Sequence, residues 1–109
     1  MRRRDERHLK FIRTLPCIKC LDNTTVEAAH VRRSDGRIGK LPTGVGIKPD
    51  DRFVLPLCGR HHREEQAKGE GGFWAERDDP VLWALTLYSI TGDVEGAEEV
   101  IRYVVRNYS

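Results

Sequence analysis

The sequence predicts an α+β fold: a small ββα core closed by a bound metal ion, with a helix before it and helices after it. Three observations carry this reading. Two pairs of equal spacing, Cys17-x-x-Cys20 and Cys58-x-x-His61, lie before and after two short apolar segments of strand-like composition. The stretch after Cys58 has helix-favouring composition and stops at a glycine. The flanking regions carry capping residues and apolar positions at helical spacing. At 109 residues the chain fits a single domain, 1–109, and is too short to be comfortably two. Within it, 1–15 reads as a basic N-terminal helix, 16–68 as the metal-stapled core and 69–109 as an acidic helical tail.

Leu9, Phe11, Ile12 and Leu15 form one apolar stripe, predicting a helix from about Asp5 to Leu15 that Pro16 ends. Pro16 to Asn23 is a tight knuckle holding two cysteines, and the β-branched run Thr24–Val31 predicts a strand ending near His30. Arg32 to Asp51 is a long basic loop punctuated by Gly36, Gly39, Pro42, Gly44, Gly46 and Pro49. Phe53 to Leu57 is a second strand, in which Pro56 implies an edge position or restricted pairing. A helix runs from Gly59 to Lys68, with Gly69 as its stop. Asp79-Pro80 starts the next helix, with Val81, Leu82, Leu85 and Tyr88 as the expected buried face. Thr91-Gly92-Asp93 is a turn, and Asp93 caps a last helix in which Ala97, Val100, Ile101 and Val104 lie together.

Three cysteines are an odd number, which argues against a closed disulfide framework and for a reducing compartment. A two-residue gap lets a knuckle aim both sulfurs of Cys17 and Cys20 at one ion, and Cys58 and His61 complete a tetrahedral Cys₃His set for Zn²⁺. Such a site joins segments 41 residues apart and staples a small core. The alternative is that Cys58 is simply a buried small apolar residue after a strand. His62 directly follows His61, and successive helical side chains diverge by about 100°, so His62 faces elsewhere. A swap, with His62 on the zinc and His61 turned away, stays open.

One third of the residues are charged, yet the net charge is only +2. Residues 1–13 carry +4 and 30–63 carry +5, whereas 64–109 carry −6. A polyanion suits the first two thirds of the chain, and the tail repels it. The opening Met1-Arg2-Arg3-Arg4-Asp5-Glu6-Arg7 is basic where a secretory signal would turn apolar, and the longest apolar segment, Val81 to Ile90, falls short of a membrane span. The expectation is a cytoplasmic protein without membrane attachment.

A strand ending in His30, a loop, a second strand and a helix bearing His62 is the arrangement of a ββα-metal nuclease core. The chain resembles the HNH endonucleases, most closely the prophage YbcO-like and phage Ref-like nuclease group. The residues that carry this are Pro16-Cys17, Ala28-Ala29-His30-Val31-Arg32, Gly46-Ile47-Lys48-Pro49-Asp50-Asp51, Val54-Leu55-Pro56-Leu57-Cys58 and His61-His62, continuing in Gly69-Glu70 and Phe73-Trp74. The resemblance spans about residues 6–90 and implies a treble-clef-like HNH core. It implies that His30 is the general base, that His62 holds a catalytic divalent cation, Mg²⁺ by the family's habit, and that Asp51, where the family commonly has Asn, orders the loop and the base.

Ala29 stands where many HNH sites have a metal-binding Asp, so Asp50 or Asp51 is expected to reach in from the loop, with water as the other way to fill the position. An imidazole ligand also suits Mn²⁺, Ni²⁺ or Zn²⁺. Arg32, Arg33, Arg37, Lys48 and Arg63 are candidates for holding DNA phosphates. None suggests a base-reading element, so little sequence preference is expected. The implied partner is DNA, either by itself or as a recombinase–DNA filament. The same residues also fit a zinc-stapled nucleic-acid-binding module without hydrolysis, and more weakly a protein-interaction zinc domain. Phe73-Trp74 and Trp83 read as core, with base stacking as the other use.

Overall fold

A computed structural model describes residues 4–42 and 50–108. The chain is mixed α+β, with five helices and a two-stranded antiparallel sheet among the described residues. Helix α1 spans Glu6–Arg13, and the Asp5 side chain caps it by accepting from the His8 N–H at 3.0 Å. Its buried face is His8, Leu9, Phe11 and Ile12. The helix stops two residues before Leu15, because Thr14 and Leu15 turn back in tight bonds to the carbonyls of Phe11 and Ile12, both 3.1 Å. Leu15 is nonetheless fully buried.

The knuckle that follows is locked by Cys17 N–H to the Asp22 carbonyl, 2.9 Å, and Leu21 N–H to the Cys17 carbonyl, 2.8 Å. Leu21 takes a left-handed backbone conformation, φ 68°, to close it.

Strand β1, Val26–His30, pairs with β2, Val54–Cys58, in the register Val26↔Cys58, Ala28↔Pro56, His30↔Val54. The flanking bonds Val31 N–H to Phe53 O and Gly59 N–H to Thr25 O show which residues of β2 face β1: Phe53, Leu55 and Leu57 do, and Val54, Pro56 and Cys58 point their backbones outward. Pro56 therefore sits where its missing N–H costs no ladder bond, on the edge that the sequence anticipates. Its outward carbonyl accepts from Ile18 N–H at 2.9 Å, docking the knuckle onto β2. Every residue of β2 is buried. A two-stranded sheet is marginal alone. Here α1, α2 (Gly59–Lys68) and α4 (Pro80–Ser89) all pack against β2.

Gly69, φ 75°, ends α2 and its N–H returns to the Glu65 carbonyl. A single-turn helix α3, Glu70–Phe73, follows where the sequence suggests no element. Asp79 caps α4 with Pro80 in its first turn. The buried face of α4 is Pro80, Val81, Trp83, Ala84 and Leu87, which corrects the expected one: Leu82 is half exposed, and Leu85 and Tyr88 are only partly covered. Nearly all of this helix is apolar, so periodicity alone cannot choose its inward side. Trp83 decides it by stacking edge-on against Trp74 and Tyr108, centroids 6.0 and 5.1 Å away. Asp93 caps α5 (Val94–Tyr108) through Gly96 N–H at 3.0 Å, and Ala97, Ile101 and Val104 are buried beneath it. No described helix is long and apolar enough to cross a membrane.

Candidate metal centre and histidine–carboxylate pairs

Cys17 and Cys20 come from the knuckle, Cys58 ends β2 and His61 lies in the first turn of α2; the docking bond from Ile18 to Pro56 brings the two halves together. The four ligand atoms lie within 4.8 Å of one another. Cys20 Sγ is 3.9 Å from Cys58 Sγ, and His61 Nδ1 is 3.6 Å from Cys17 Sγ and 3.3 Å from Cys58 Sγ. Around a tetrahedral Zn²⁺ with Zn–S near 2.3 Å and Zn–N near 2.0–2.1 Å, the S···S edges are about 3.8 Å and the S···N edges about 3.6 Å. Three edges of the cage lie within about 0.3 Å of these values and all edges are within 4.8 Å, so the residues fit such an ion. All three cysteines are free thiols. It is His61, not His62, that faces this centre.

The electrostatics favour the ligand form at Cys58 and His61 and oppose it at Cys17. Burial pushes the Cys17 thiol up to about 11, with backbone N–H bonds pulling the other way. For Cys58, burial is outweighed by the combined bonds from the His61 and Arg60 backbone and the two other thiols, so its pKa falls. Burial, followed by the Arg60 charge, lowers His61 and keeps its ring neutral and able to donate a lone pair. Lys19 N–H also donates to Cys17 Sγ, 3.4 Å.

His30 closes β1, and its Nε2 lies 2.9 Å from Asp51 Oδ1. The second carboxylate oxygen, Oδ2, accepts from the backbone N–H of Asp5 at 2.8 Å. A carboxylate only accepts, so the neutral His30 ring donates from Nε2 and carries its lone pair on Nδ1. Asp51 is buried at 5% exposure, while the His30 side chain is 22% exposed. This pair is held from two sides, by the second strand's entry turn and by the start of α1.

His62 Nδ1 lies within hydrogen-bonding distance of Glu27 Oε1. Glu27 sits on β1 opposite Leu57, two residues before Ala29, and strand alternation puts Glu27 and Ala29 on one face. Asp50, the carboxylate expected beside His62, pairs with Arg52. Its oxygens take the Arg52 Nε at 3.0 Å and Nη2 at 2.7 Å, and Asp51 is drawn to His30.

Among the phosphate-binding candidates, Arg32 and Arg33 donate their backbone N–H groups to the two oxygens of Glu70, which ties the end of β1 to α3, and the Arg33 Nε also lies 3.6 Å from Glu70 Oε1. Arg37 does not stand free for a phosphate: its guanidinium bridges Asp35 and Asp79, the cap of α4. Arg63 is exposed on α2, and Lys48 lies outside the described residues. Phe73, Trp74 and Trp83 are buried, as core readings require. Sequence reasoning misses Glu27, Glu70 and the Asp5 amide. Only Glu27 has a sequence signal, its two-residue offset from Ala29 on a strand.

Compared with known proteins, no family model matches the chain, and no solved structure matches it. A segment of 59 residues is 36% identical to the uncharacterized protein YdfU of Escherichia coli (strain K12), covering 54% of this chain and 15% of YdfU. The chain thus spans a small part of that relative's length.

Proposed function

We propose that this chain is a metal-dependent endonuclease of the HNH type, which hydrolyses DNA phosphodiester bonds with little sequence preference, its core held by a structural zinc at Cys17, Cys20, Cys58 and His61. The observation that carries the reading is the His30–Asp51 pair at the end of β1 in a cysteine/histidine-stapled ββα unit. Hydrolysis needs a general base beside the scissile phosphate and positive charge on the phosphoryl and leaving oxygens. His30 meets the first need: Asp51 holds the ring by Nε2, so Nδ1 takes the proton from the attacking water, and the buried carboxylate stabilises the imidazolium that forms. Asp51 itself stays ionised and moves no proton. A divalent cation on His62 would supply charge at the leaving oxygen. The side chains of Arg32, Arg33 and Arg63 bind flanking phosphates, and the Glu70 clasp fixes the backbone from which the first two project.

The test is plasmid nicking by the zinc-loaded protein with Mg²⁺ or Mn²⁺. Nicking is expected in the wild type, and His30→Ala should abolish it while DNA binding and zinc content stay unchanged. An intact plasmid with every divalent cation tried refutes the enzyme. The second reading, a zinc-stapled nucleic-acid-binding module without hydrolysis, is favoured by Ala29 at a position where related sites carry a ligand; it expects salt-sensitive DNA binding and no cleavage.

A further inference from the structure

We infer that Glu27 is a positioning residue for His62: its carboxylate holds the ring by Nδ1 and so presents Nε2 as the donor atom toward a divalent cation. This rests on the proposed role of His62, and it concerns a residue of this chain that neither motif spacing nor the resemblance singles out. Glu27 Oε1 meets His62 Nδ1, and a carboxylate only accepts, so Nδ1 carries the proton. That leaves the Nε2 lone pair as the ring's only donor toward a cation. A histidine that binds a metal commonly has its other nitrogen on a carboxylate, which sets both tautomer and ring orientation.

Two independent features place Glu27 there. Glu27 shares its strand face with Ala29, so this face still carries one carboxylate, moved back by one repeat of the strand. The start of α2 also leaves room for it. A Cβ at Gly59 would stand 3.6 Å from Glu27 Oε2 and 3.1 Å from Arg63 Nη1, and Gly59 N–H is tied to the Thr25 carbonyl at 3.0 Å. The start of α2 thus lies against β1, in ordinary contact range of the Glu27 carboxylate and close to the Arg63 guanidinium.

The experiment follows the ring nitrogens of His62 by long-range ¹⁵N NMR in the zinc-loaded protein, at a pH where the ring is neutral, for wild type, Glu27→Ala and Glu27→Gln. His62 is expected as the Nδ1–H tautomer in wild type, and Glu27→Gln, whose amide oxygen still accepts, should keep it. Glu27→Ala should shift the ring toward Nε2–H and raise the Mn²⁺ concentration for half-maximal broadening of the His62 signal roughly 10–100-fold. Zinc content should not change. In nicking assays the same variant should need more Mn²⁺ and recover at saturation, whereas His62→Ala should not recover. An Nε2–H ring in wild type, or Glu27→Ala matching wild type in tautomer and Mn²⁺ response, overturns the inference. Nicking that depends on His62 but not on Glu27 sinks this inference alone. A Glu27-dependent tautomer and Mn²⁺ response in a protein that nicks nothing sinks the nuclease and leaves the positioning role intact.

Discussion

Replacing Cys20 by serine isolates the metal's contribution to the fold. Cys17 and Cys58 are buried, so removing either also disturbs packing, but Cys20 is exposed and its sulfur contacts the cluster through Cys58. Structural zinc contributes about 10–16 kcal/mol of apparent free energy through four ligands, so an even share is about 2.5–4 kcal/mol per ligand. For a domain near 100 residues, each kcal/mol moves the melting temperature by about 4–8 °C. Cys20→Ser should therefore melt about 10–30 °C below wild type and lose zinc, whereas an exposed thiol with no metal role would change stability by at most about 0.5 kcal/mol. Circular dichroism melts with atomic absorption on the same samples give both quantities, and a strong chelator should bring wild type down to the variant. A Cys20→Ser protein that melts within a few degrees of wild type and keeps its zinc refutes the four-ligand site.

Three further outcomes are expected. His8 is fully buried: its Nδ1 donates to Thr91 Oγ1 at 2.7 Å, because that hydroxyl already donates to the Tyr88 carbonyl, and its buried Nε2 has no partner among the described residues. Burial lowers its pKa from 6.5 against the pull of Asp5 and Asp51, so below about pH 6.5 the unfolded chain takes up a proton that the folded one resists. Stability should be full above that pH and decline as pH falls toward the depressed folded value; His8→Gln should flatten the decline in urea titrations, and an equally steep decline in that variant would remove His8 as its source. Trp83→Ala should cost about 3–5 kcal/mol. Leu82→Glu, at a half-exposed position, should stay within about 0.5 kcal/mol, and the reverse order in denaturant unfolding would show that α4 is turned the other way. If Arg32 and Arg33 each contact one phosphate, the double alanine variant should lower the slope of log K against log salt by about 0.9 per lost contact on duplex DNA, and an unchanged slope would exclude them.

Elements whose signals are local were legible in the sequence. The start of α1 near Asp5, the caps Asp79 and Asp93, the stops at Gly69 and before Pro16, and the two strands all lie within a few residues of where spacing and turn chemistry put them. The Cys17/Cys20 and Cys58/His61 pairs belong to the same class, since each is set by one knuckle or one helical turn. Errors occur where local rules are silent. In α4 nearly every side chain is apolar, so only packing against Trp74 and Tyr108 selects Trp83 over Leu82 as the inward residue.

Which charged group meets which was decided partly by near neighbours and partly by tertiary structure. Asp50 and Asp51 are neighbours of the same chemistry at the entrance to β2, yet Arg52 takes one and His30 with the Asp5 amide takes the other. Arg37 looks available in the sequence and is spent on Asp35 and Asp79. Carboxylate and guanidinium groups carry no pairing code of their own, and which one meets which depends on where packing leaves their backbones. The sequence by itself determined the three cysteines, the pair His61 and His62 from which the fourth ligand comes, and the elements that bear them, because these are written in short spacings, and the structure selected His61. Tertiary structure decided which carboxylate each histidine faces, Asp51 for His30 and Glu27 for His62, because that choice follows from strand register and helix docking.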